Sequence, residues 1–156
     1  MASLGRILLL LAVFGLLSFS GVHAQTVIAS TDGETPGVRL DLTEAKRGSG
    51  DTLTIRFTIV NKSASAFKFG HNLGDAAYGD FGNIGAIHLL DATNKKKYLV
   101  MRDSAKNCVC SNKLRDLPTG QSINLWGRFP APPADVKAVS VVVPGFMPLD
   151  EVAISQ

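Results

Sequence analysis

Two thiols one residue apart are the most reactive feature of this chain: Cys108 and Cys110 flank Val109 in "RDSAKNCVCS" and are its only cysteines. Three chemistries suit such a pair. The first is a disulfide closing a local loop, because residues two apart in an extended strand lie roughly 6.5 Å apart at Cα and a tight turn shortens that span into bridging range. So small a ring restrains the unfolded chain by only about 1.5 kcal/mol, so the bridge would shape a loop more than hold a fold. The second is capture of a soft ion such as Cu(I) or Zn(II) by Cys108 and Cys110 with Met101, helped by Met147, His71 or His88. No second ligand cluster stands at recognisable spacing, and His88 sits in an apolar run where a packed histidine is the commoner case. The third is redox exchange, which favours C-x-x-C at a helix start. That spacing is not present.

Hydrolytic chemistry has less to build on. Ser104 follows Arg102 and Asp103, yet the chain has no G-x-S-x-G elbow, and one of its three histidines, His23, lies in the leader. Arg102 and Asp103 read as loop-closing residues through local ion pairing and turn hydrogen bonds. The Lys95–Lys97 run reads as a solvated hairpin tip or a charged edge that discourages sheet-to-sheet association. No catalytic residue and no cofactor is expected.

The positioning elements follow a leader. Arg6 precedes an apolar run from Ile7 to Leu17, and Val22 and Ala24 supply the small residues of a cleavage site. Residues 1–24 read as a secretory signal peptide, because the run is too short to cross a bilayer and no basic stop-transfer cluster follows. Without a cysteine near the cut, a lipid anchor is not expected either. Removing 24 of 156 residues leaves 132, the size of one domain, with 15 basic against 13 acidic residues and a net charge of +2. So small an imbalance demands neither nucleic acid nor an acidic membrane, and no stable membrane insertion is expected after cleavage. The compartment expected is periplasmic or extracellular, which is oxidising and favours the bridged form of the two thiols.

Residues 25–37 carry no clear period and read as a flexible segment. From Val38 the period is two. Val38, Leu40 and Leu42 alternate with polar residues, as do Leu53, Ile55, Phe57 and Ile59, and the "KRGSGD" between them predicts an antiparallel hairpin. Further strands are predicted near Phe67 and Phe69, over Ile84–Asp91, Lys96–Met101, Ser122–Phe129 and Lys137–Pro144, with a short last one over Glu151–Ile154. Each is bounded by turn chemistry such as "LPTGQ" or "PAPPAD", and no window shows an amphipathic helix. Residues 38–156 therefore read as an all-β domain, an antiparallel immunoglobulin-like β-sandwich of seven to eight strands. Adjacent cysteines cannot bridge two sheets. Trp126 shares a face with Asn124 and Arg128, so it either fills part of the core or lies half exposed. The stretch from Gly70 to Gly85, with five glycines, reads either as an ordered binding loop or as a loose connection between sheets.

The segments "AKRGSGDTLTIRFTIVN", "KKYLVMRDSAKNCVCS" and "FPAPPADVKAVSVVVPGFMPLDEVAI", in that order, resemble a group of bacterial exported immunoglobulin-like β-sandwich domains of unassigned activity. The likeness runs from about Val38 to Ile154. The group is similar to the secreted domains to which some mycobacterial immunogenic proteins belong, which occur alone or ahead of a peptidoglycan-binding module. No such module is expected here before Gln156. The resemblance implies no catalytic residues. The function expected is an exported non-enzymatic module that binds a protein or a cell-envelope component, the alternative being a periplasmic soft-metal protein that uses Cys108 and Cys110.

Overall fold

The alternation read from Val38 onward builds two antiparallel sheets of four strands each. A computed structural model describes residues 26–156; the leader read over 1–24 lies outside the described residues. The strands are β1 (Ala29–Asp32), β2 (Val38–Gly48), β3 (Thr52–Asn61), β4 (His88–Asp91), β5 (Lys96–Leu99), β6 (Ser122–Pro130), β7 (Ala138–Val142) and β8 (Leu149–Ala153). One sheet has the order β1-β2-β3-β6, the other β5-β4-β7-β8. The β2–β3 hairpin turns through Gly50 and Asp51, both at positive φ (68° and 51°), and Thr52 Oγ1 donates to Ser49 O at 2.9 Å.

Period-two alternation places Leu53, Ile55, Phe57 and Ile59 on one face of β3, all at 0–1% exposure, while Arg56 points to solvent. They join Leu40 and Leu42 of β2, Leu125 and Phe129 of β6, and Leu89, Val139, Val141 and Val152 of the second sheet in one continuous core. Burying each such side chain contributes about 1.5–3 kcal/mol, so the packed inner faces are what hold the two layers together. Trp126 lies on the other face of β6 and is half-buried, so Leu125 and Phe129 carry the core there.

Four sequence expectations are corrected. The segment read as flexible over 25–37 contains β1, which pairs with β2 from Ala29↔Leu42 to Asp32↔Arg39. Its "ASTD" has almost no apolar alternation; backbone pairing and a hydrogen bond from Ser30 Oγ to Asp41 Oδ1 (2.7 Å) anchor it instead. The aromatic pair expected in a strand meets only a single bridge, Phe67↔Leu117, after which the chain enters a four-residue helical turn, α1 (Gly70–Leu73). Phe67 and Phe69 pack edge to face at 5.4 Å. The strand expected from Ile84 begins only at His88, because Asn83 Oδ1 accepts from Gly85 N–H (2.8 Å) and Ile87 N–H donates to Ile84 O (3.3 Å), closing turns just before it. The last strand starts at Leu149, two residues before the expected Glu151.

Both long connections, between β3 and β4 and between β5 and β6, are tied at their bases by Asn61, which is fully buried. Its Nδ2 donates to Ser65 O and Leu117 O, both at 2.9 Å, and its Oδ1 accepts from Ser63 N–H (3.0 Å) and Ser63 Oγ (2.6 Å). One amide thereby satisfies groups from both loops.

Candidate functional site

The stretch around the cysteines folds as a small hairpin laid along β6. Met101 N–H donates to Arg128 O (2.7 Å), Val109 N–H to Met101 O (2.8 Å) and Arg128 N–H to Val109 O (3.0 Å). Ser111 N–H reaches Trp126 O (2.8 Å), and Trp126 N–H donates to Ser111 Oγ (3.0 Å). β6 is the last strand in its sheet's order, and this hairpin occupies the backbone groups that Trp126 and Arg128 would otherwise offer to another chain. Cys108 and Cys110 point inward to the core, 9% and 3% exposed, while Val109 between them is only half-buried. Their Cα atoms are 5.3 Å apart and their sulfurs are in contact; the segment is tightened well below the extended-strand span. Cys110 sits opposite Gly127, where a side chain would press on the Phe129 ring at 3.3 Å.

The tip of the hairpin is closed by Asp103. Its carboxylate accepts from Ala105 N–H (2.9 Å), Asn107 N–H (2.8 Å) and Asn107 Nδ2 (3.0 Å). The bonds from Asn107, side chain first, hold the Asp103 carboxyl below its ordinary range by stabilising the ionised form. Lys106 takes positive φ (69°) to complete the reversal, and Ser104 lies exposed at the apex.

Arg102 departs from the expectation of purely local pairing. It donates from Nη1 to Lys106 O (2.7 Å), but its ion-pair partner is Asp75, in the glycine-rich connection. Its guanidinium lies 3.8 Å from the centroid of the Tyr78 ring. The stretch from Gly70 to Gly85 is internally braced around that contact. Asp75 and Asp80 exchange two backbone bonds, 2.6 and 3.1 Å, Ala86 N–H donates to Leu73 O (3.1 Å), and Leu114 N–H donates to Gly82 O (2.9 Å). Asp75 is 7% and Asn83 1% exposed. Gly85 has no room for a side chain, since a Cβ there would stand 2.8 Å from Asp75 Oδ2. A 3₁₀ turn over Ala76–Tyr78, ended by Gly79 at φ 66°, lifts Tyr78 outward, and Tyr78 and Phe81 are 53% and 39% exposed.

The metal candidates are spread differently. Met101 lies beside the pair, its backbone bonded to Val109. His88 stands on β4 in the other sheet, its ring Nδ1 near Ala86 O (3.3 Å), with its pKa lowered mainly by burial. Met147 is exposed in the β7–β8 turn, and the His71 side chain lies outside the described residues. Among the described residues no group of three or more His, Cys, Asp or Glu is placed to hold a metal ion. Lys95 forms the β4–β5 turn at φ 54°, and Lys96 and Lys97 lie exposed on the edge strand β5. No helix among the described residues is long and apolar enough to cross a membrane.

Comparison of the chain with protein-family models, with curated proteins and with solved structures finds no match. The site is therefore read from its own chemistry. Asp75, Tyr78 and Asn61 carried no sequence signal of their role: each gains it from a residue distant in the chain.

Proposed function

We propose that this chain is an exported, non-enzymatic binding module, immunoglobulin-like in its two-layer architecture, that engages a protein or cell-envelope component through the surface built by Arg102, Tyr78 and Phe81. Its strand order is its own, with β2 beside β3 where antibody domains place the second strand next to the fifth. One observation carries the reading. A half-exposed tyrosine on a long connection is stacked on an arginine whose charge is already balanced by a buried aspartate. Tyrosine offers a large contact area at low entropy cost, and holding its ring in place before binding removes part of what ordering still costs. A braced loop presenting Tyr78 is thus prepared for contact.

The two cysteines act in this reading as a disulfide that keeps the 101–111 hairpin seated on β6, the state favoured in an oxidising compartment. Intact mass of the processed protein under non-reducing conditions tests both assignments at once. A chain starting at Gln25 and about 2 Da light supports cleavage after Ala24 and a bridge. The binding reading is tested by immobilising the processed protein and its Tyr78→Ala variant against solubilised envelope. Specific components retained by the first and lost by the second support it. Identical retention profiles, or none above background, defeat it.

A further inference from the structure

At the far side of the first sheet from the cysteine hairpin, a cleft of about 580 Å³ opens between β2 and β8, within the range of small-ligand pockets, roughly 300–1,000 Å³. Two ladder irregularities meet there. The β2–β3 register shifts between Leu42 and Glu44, and the β7–β8 register shifts between Val139 and Val141, across from which Glu151 takes the left-handed φ of 53°. Bulges and non-glycine residues at positive φ re-aim side chains and are retained where the surroundings impose them. The walls are apolar, from Ile28, Val152 and Ile154, and Ile28 is 49% exposed. The rim is acidic. Glu44, Asp150 and Glu151 line the cleft against a single cation, Lys46. Glu44 is engaged by Arg56 at 3.1 Å, whereas Asp150 and Glu151 have no ion-pair partner among the described residues.

The bordering backbone decides the kind of occupant. Ile28 N–H donates to Leu42 O of β2 (2.8 Å) on one side of the cleft, and on the other Ser155 N–H donates to Ala45 O (2.9 Å) while Ser155 O accepts from Arg47 N–H (2.9 Å). On the β2 side no run of free strand edge is left for an added peptide strand, and the space between these bonds suits a compact molecule. The apolar walls call for an apolar body and the acidic rim for a positive head, because opposite charges a few ångströms apart at a protein surface attract, the more strongly the closer and less screened they are.

We propose that this cleft is a second binding site, independent of the Tyr78 surface, for a small organic cation with an apolar body, an alkylammonium in chemical class. Octylammonium, 1-octanol and octanoate serve as probes of equal chain length, titrated into the processed protein and followed by amide chemical shifts. Octylammonium should saturate with its largest shifts at Ala45, Val152 and Ile154, and octanoate should bind about ten-fold more weakly. Asp150→Asn together with Glu151→Gln should weaken octylammonium about ten-fold and leave octanol unchanged, whereas Ala153→Ile, which adds bulk to the lining, should weaken both. Unfolding of either variant is excluded by its shift dispersion. The proposal is overturned if none of the probes saturates, if octanoate matches octylammonium, if the shifts centre elsewhere, or if the acid-to-amide variant binds like the original.

Discussion

Arg102 and Asp75 form an ion pair that joins the two long connections of the sandwich, one partner from each, with Tyr78 stacked on the arginine. Both side chains are largely removed from water, 19% and 10% exposed. Removing one partner from such a pair leaves the other charge desolvated, which costs more than the pair itself contributes. Arg102→Ala is therefore expected to lower stability by about 3 kcal/mol and to speed amide exchange at 75–83 while leaving β2 and β3 protected. Arg102→Lys keeps the charge but loses the planar stacking face, so it should recover only part of the loss. Equal exchange in the original and Arg102→Ala proteins would disprove the brace.

The cysteine pair and the core aromatic differ in what they hold. Replacing Cys108 and Cys110 together by serine should leave the sandwich folded and lower stability by at most about 2 kcal/mol, since the ring they close is minimal. Phe57, 1% exposed at the centre of β3, should cost about 3–5 kcal/mol as Phe57→Ala. Urea melts of the two variants side by side give the order. A double-serine protein less stable than Phe57→Ala would show that the cysteines hold more than a local hairpin.

Asn61 anchors both loop bases through four hydrogen bonds at 0% exposure. Asn61→Ala removes one bond each from Leu117 O, which keeps Phe67 N–H, and from Ser65 O, which keeps Ser63 Oγ, and it leaves a void at a fully buried position, so the expected loss is about 1–3 kcal/mol. Asn61→Asp keeps the acceptor for Ser63 but removes the donor, so it should be no milder. Thermal melts with near-ultraviolet circular dichroism measure both; a loss below about 1 kcal/mol for either would remove Asn61 from this role.

Acid stability should depend on the β4–β5 turn. The Asp91 carboxyl is held below its ordinary value of 3.8, first by the side chain of Asn94 (2.8 Å) and then by its backbone N–H (3.0 Å), with burial acting the other way. Because the unfolded chain binds the proton more readily, this contribution is present above about pH 3.8 and is lost as pH falls through the folded value. Asn94→Ala should lower the melting midpoint at pH 7 and make little difference near pH 2. His88 gives a separate window: its pKa lies below 6.5, chiefly through burial, so stability should decline as pH drops from 6.5 through the folded value. His88→Gln should flatten that step, and an unchanged pH profile in either variant would count against these assignments.

Much of this fold is written as local alternation. β3 and β6 were readable because every second residue is apolar and each strand keeps one face against the core along its whole length. β1 was not, since "ASTD" is bound by backbone pairing and Ser30–Asp41, which depend on β2 lying alongside. The Phe67–Phe69 pattern misled for the converse reason: alternation is necessary for a half-buried strand, but without a partner strand it yields an aromatic cluster and a turn.

The sequence by itself determined the all-β class, the β2–β3 hairpin, the identity of the core face and the closeness of the two thiols, because each follows from residues within a few positions of one another. Only the tertiary structure decided that Arg102 meets Asp75 and Tyr78, that Asn61 serves two loops, that the cysteine hairpin covers the edge of β6, and that Glu151 borders a cleft with Ile28. These contacts join residues far apart in the chain, and a charge or an amide carries no mark of the distant partner that will satisfy it once the sheets have packed.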